Sequence, residues 1–94
     1  VFAIAEGYFY DVKLIAYSKS AYRALRRMPP DSARLVRSKI EQYASDPASL
    51  TANVRKLQGR DGYRLRVGGW RVIFDENGSV LEILDIGPRG SIYE

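Results

Sequence analysis

The side chains able to do chemistry in this sequence are few in kind. Its 94 residues include no cysteine and no histidine. That removes disulfides, thiolate ligands and thiol nucleophiles, together with the commonest metal ligand and the commonest general base. Chemistry is left to Arg, Lys, Tyr, Asp, Glu, Ser and the backbone, and neither a metal nor a cofactor is expected. Cations dominate the set: 15 Lys and Arg stand against 11 Asp and Glu, for a net charge of +4, and 11 of the 15 are Arg. Arg offers a planar fork of donors matched to phosphate, whereas Lys would serve solubility equally well. Charge alone leaves a solvated basic surface and a nucleic-acid surface as equal readings.

The arginines gather where the strand signal is strongest. Tyr63 to Val67 alternates apolar and basic residues, Gly68-Gly69 is a two-residue turn signal, and Trp70 to Phe74 alternates again, which makes a β-hairpin. With the two glycines as the loop, Val67 lies opposite Trp70, Arg66 opposite Arg71, Leu65 opposite Val72, Arg64 opposite Ile73 and Tyr63 opposite Phe74. Directly opposed residues share a face. Tyr63, Leu65, Val67, Trp70, Val72 and Phe74 therefore form a core face, and Arg64, Arg66 and Arg71 gather on the other. Asn77-Gly78 marks a second turn before the apolar strand Val80 to Ile86, so the three strands form an antiparallel meander. Carried through that turn, the register puts Leu81 and Ile83 with the core set and Glu82 with Ile73 and the arginines.

Like charges directly opposed on neighbouring strands destabilise by up to ~1 kcal/mol. Arg66 facing Arg71 thus costs stability and suggests a polyanion seated there; the alternative is a solvated face on which Glu82 and water relieve the repulsion. Arg71, pointing away from the core, is expected to be dispensable for folding. Trp70 reads as core and not as a base-stacking platform. By position alone, Arg89 and Tyr93 would be a frayed tail beyond the last strand.

The elements that must position this hairpin lie upstream. Residues 1–11, apolar and aromatic with two acidic and no basic side chains, differ from everything after them; they are an added strand, a cloning scar or an upstream leader, set apart from the domain at 12–94. Val12 to Tyr17 reads as a strand and Ser18 as the N-cap of a helix. Ala21, Leu25 and Met28 make that helix's core stripe, and Pro29-Pro30 ends it. Pro30 or Asp31 opens a second helix with Val36, Ile40, Tyr43 and Ala44 on one face, stopped by Asp46-Pro47. The stretch from Ala48 to Gly62 reads as a connecting loop anchored by Leu57. The expected fold is α+β: an N-terminal strand, a two-helix hairpin, then the three-stranded meander. No apolar run approaches the ~20 residues that span a bilayer, no secretory signal is apparent, and a cytoplasmic location without membrane contact is expected.

This order of elements, with KLQGRDGYRLRVGGWRVIFD followed by LEILDIGPRGSIYE, resembles the RelE/ParE superfamily of bacterial type II toxins, from Val12 to Glu94. The most specific elements are Lys56-Leu57, the Tyr-Arg-Leu-Arg-Val strand, the answering Trp-Arg-Val, and Gly-Pro-Arg with Tyr four residues after the Arg. The RelE-like branch implies an mRNA interferase, an endoribonuclease that enters the ribosomal A site and cuts the message by attack of a ribose 2′-hydroxyl on the neighbouring phosphate. The resemblance implies catalytic roles for Arg64, Arg66, Arg71, Arg89 and Tyr93, RNA contacts from Lys56, Arg60, Arg64 and Arg66, and as partners a cognate antitoxin in a hetero-oligomer, the ribosome and mRNA. ParE-like members share the fold, lack the nuclease and poison DNA gyrase; Arg89 and Tyr93 favour the nuclease branch. Arg71 and Arg89 suit charge stabilisation of the phosphorane, while Arg64 and Arg66 cannot serve as base because a guanidinium stays protonated. Tyr93, Glu82 or no strong base at all remain for that role.

Overall fold

The computed structural model describes residues 13–92; the segment 1–11, Val12 at the expected start of the first strand, and Tyr93 lie outside the described residues. The elements run β1 (Leu14–Tyr17), α1 (Lys19–Arg27), α2 (Pro30–Ser45), a 3-10 segment (Pro47–Asn53), β2 (Val54–Lys56), β3 (Tyr63–Val67), β4 (Trp70–Asn77) and β5 (Val80–Pro88). They make the expected α+β fold around one sheet of order β1-β5-β4-β3-β2. β1 runs parallel to β5, and every other neighbour is antiparallel.

The helix boundaries follow from their caps. The Ser18 hydroxyl accepts the amide of Ala21 at 3.0 Å and donates to the carbonyl of Leu84 at 2.7 Å, so one side chain starts α1 and moors it to β5. Met28 closes α1 through its amide on the Ala24 carbonyl, and α2 opens on Pro30, whose missing N–H costs nothing in a first turn. The stripes read from the sequence face the core: Val36, Ile40, Tyr43 and Ala44 of the second helix are buried, as are Ala21 of the first helix and Met28 at its cap, while Leu25 between them is half-buried against the core. They pack against Leu65, Val67, Val72, Phe74, Leu81, Ile83 and Ile86 in a single cluster, with Tyr63 and Trp70 at its border. Phe74 sits at its centre, its ring 5.0 Å from that of Tyr43 and 5.5 Å from that of Tyr63.

Two expectations are corrected. The stretch 48–62 is not wholly a loop: it holds most of the 3-10 segment and β2, whose three residues pair with β3. The second hairpin turns one residue later than Asn77-Gly78, because Asn77 is the last residue of β4, paired with Val80, and Gly78 takes the first loop position at φ 63. Positive φ at the first position only is the II′ pattern, which matches strand twist and demands glycine there. A bulge then leaves Leu84 unmatched, so Ile73 faces Asp85, and Glu82 faces Asp75 and not Ile73.

Candidate nucleic-acid interface

The face of the sheet away from the helices is built in rungs. One runs Arg55–Arg64–Ile73–Asp85 across β2 to β5, and the next runs Arg66–Arg71–Gly87 across β3 to β5. The hairpin register is the one the glycine pair dictates, with Arg66 directly opposite Arg71. Arg55 and Arg66 are exposed and Arg64 is half-buried. Leu57 and Ile73 are buried yet stand apart from the main core cluster, Ile73 directly opposite Arg64 on β3.

Arg71 departs from expectation. It is on the arginine face, but only 7% exposed, because its side chain curls back over its own turn. Its Nη1 donates to the carbonyl of Gly68 at 3.0 Å and to that of Trp70 at 2.9 Å. The carbonyl between them, on Gly69, accepts the backbone amide of Arg89 at 2.7 Å. Three successive carbonyls of one turn thus hold two arginines, one by its Nη1 and one by its main chain. The Arg89 side chain is exposed, so the turn offers Arg66 and Arg89 outward beside a fixed Arg71.

The remaining residues scatter. Lys56 pairs with Tyr63, so by alternation it lies on the helix side of β2, exposed at the sheet edge. Arg60 is exposed in the connection from β2 to β3. Glu82 stands between Ala16 and Asp75 on its neighbouring strands, away from the Arg66–Arg71 rung. Sequence reasoning missed Arg55, whose signal was the short alternation of Val54-Arg55-Lys56, and Asp85, whose Oδ1 accepts from the Ser20 hydroxyl and the Ile86 amide, each at 2.9 Å. Among the described residues no group of acidic, His or Cys side chains could hold a metal ion. Two described tyrosines have shifted acidity, both upward: Tyr43 is pushed up to about 12 by burial and then by Glu76, and Tyr17 is raised by burial and then by Glu41. Neither is a phenolate near neutral pH. A second cationic surface, Lys19, Arg23, Arg26 and Arg27 with Tyr22, lines an open depression on α1, on the helix side of the molecule.

Solved structures with this architecture include the archaeal RelE–RelB complex from Pyrococcus horikoshii, with a TM-score of 0.71 and 29% identity over 86% of this chain and 99% of that one. The toxin–antitoxin complex RelBE2 from Mycobacterium tuberculosis matches at a TM-score of 0.71 and 18% identity, covering 85% and 94%. YafQ from E. coli matches at 0.71 and 13%, covering 87% and 99%. No curated protein matches the chain in sequence. The strand order and helix hairpin are the architecture of the RelE/ParE superfamily of toxins. Residues 15–93 match the ParE toxin family of type II toxin–antitoxin systems, and the chain belongs to that family.

Proposed function

We propose that this toxin is an endoribonuclease that cuts mRNA in the ribosomal A site and is restrained in the cytoplasm by a cognate antitoxin in a hetero-oligomer. The observation that carries the reading is the β3–β4 turn, where exposed Arg66 and Arg89 stand beside an Arg71 whose Nη1 is held by the Gly68 and Trp70 carbonyls. In the reaction, the ribose 2′-oxygen bonds to phosphorus as the bond to the 5′-oxygen breaks, leaving a 2′,3′-cyclic phosphate and a 5′-hydroxyl. Arg66 and Arg89 carry the charge that develops on the phosphorane, and a prearranged cation costs no reorganisation at that moment. Arg64 and Arg55 extend the track along the backbone of the message.

The 2′-proton needs an acceptor that no guanidinium provides. With Glu82 displaced from the arginine rung by the register of the second hairpin, the proposal assigns that role to Tyr93, with the 5′-oxygen reprotonated from the same site or from water. The neutralising partner is an acidic, apolar segment of the antitoxin, matched to this surface by charge, as the RelB complexes of the structural relatives suggest. The family match to ParE favours a second reading, inhibition of DNA gyrase without cleavage. Primer extension on message after induction, beside a supercoiling assay with purified gyrase, separates the two. New 5′ ends at A-site codons with gyrase unaffected are expected; intact message with inhibited gyrase would overturn the nuclease reading.

A further inference from the structure

We propose that Gly87 and Ile92 form a latch that holds Arg89 at the β3–β4 turn, making both of them positioning residues for the engagement of phosphate by Arg89. The inference rests on the reading of Arg89 as a phosphate-binding residue. Beyond β5 the chain reverses: the amide and hydroxyl of Ser91 both return to the Pro88 carbonyl at 3.2 Å, and Gly90 turns at φ 89. The reversal lays Ile92 back on Gly87. A Cβ on Gly87 would meet the Cβ, Cδ1 and Cγ1 of Ile92 at 3.3, 3.5 and 3.8 Å.

Gly87 is absent from the glycines of positive φ, so its backbone would accept any residue; what the site requires is the missing side chain. Gly87 is also the β5 member of the Arg66–Arg71 rung. Ile92 therefore fills the volume beside Arg71 that an ordinary strand residue would occupy. Arg89 lies between two fixed points, its own amide on the Gly69 carbonyl and the seat of Ile92 three residues on. Without that seat, a short exposed segment of this kind frays.

The test fills the seat with Gly87→Val and empties it with Ile92→Ala, keeping Ile92→Val as the conservative variant. Hydrogen exchange at the Arg89 amide reports the latch without reference to activity, and single-turnover cleavage on programmed ribosomes reports rate and half-saturation separately. Gly87→Val and Ile92→Ala should melt near the parent while the Arg89 amide exchanges at least ~10-fold faster, the signature of local opening without global unfolding. Their maximal cleavage rate should fall at least ~10-fold with half-saturation little changed, as expected when a reacting geometry is loosened. Ile92→Val should restore both. An Arg89 amide equally protected in all variants overturns the latch, and faster exchange with unaltered cleavage overturns the positioning role proposed for it. If the parent itself cleaves nothing, the nuclease reading fails, and amide exchange alone decides whether the latch exists.

Discussion

At the scale of single residues, Arg71 couples the candidate chemistry to stability. Its guanidinium makes two bonds to turn carbonyls from a buried position, and hydrogen bonds from a charged group are each worth about 1.5–3 kcal/mol net. Arg71→Ala should therefore lower the melting temperature by more than roughly 10 °C, given two such bonds and ~4–8 °C per kcal/mol for a domain of this size; an unchanged melt would show that the hairpin does not need the guanidinium. The phenol of Tyr43 makes a second prediction. Its value rises from the ordinary 10.0 to about 12, through burial first and then Glu76. A raised value favours the neutral phenol in the folded state, so the stabilisation is whole below pH 10 and is lost as pH climbs through 12. Tyr43→Phe should flatten this alkaline loss in melts taken across that window, with Tyr17, also raised by burial, retaining part of the slope.

At the scale of elements, Ser18 is the most economical device in the fold, since its hydroxyl caps α1 and bonds the Leu84 carbonyl on β5. Ser18→Ala should cost about 1–2 kcal/mol, the upper range for losing a cap, and Ser18→Asp should recover the cap while losing the donor to Leu84; equal melts for Ser18→Ala and the parent would mean neither bond matters. Such caps are why the two helices were legible in the sequence, with Ser18, the Pro29-Pro30 pair and Asp46-Pro47 marking their ends. The β3–β4 register was legible for the same reason, because two glycines admit few hairpins. β2 was not, as Val54-Arg55-Lys56 is too short for alternation to stand out, and with it went Arg55. Asn77-Gly78 misled by one residue: it is a strong turn signal of the wrong type, and the bulge at Leu84 follows no local rule. The burial of Arg71 depends on how its side chain folds back over the turn, which alternation cannot express.

At the scale of the whole molecule, two separate surfaces gather several cations each, the arginine rungs and the outer side of α1. Each phosphate contact to a single strand contributes about 0.7 to the slope of log affinity against log salt. Arg66→Ala should reduce that slope by about this amount, while Arg23→Ala on α1 should leave it nearly unchanged. A reversed pattern in RNA titrations between low and physiological salt would place the message on the helix side.

The sheet order also bears on how the toxin comes into being. Of the five described strands β5 is synthesised last, yet it lies between β1 and β4, and among the described residues β1 pairs with β5 alone. While the nascent chain is growing, β1 therefore waits for β5, and such long-range pairing closes only late in folding. A chain stopped after Ser79 should show no cooperative melt and leave growth unharmed. On the proposed role of Arg89, interrupted translation would then yield inert peptide and not a weakened poison, for β5 carries Gly87 and leads directly into Arg89. The stretch that closes the described sheet would also be the one that arms it.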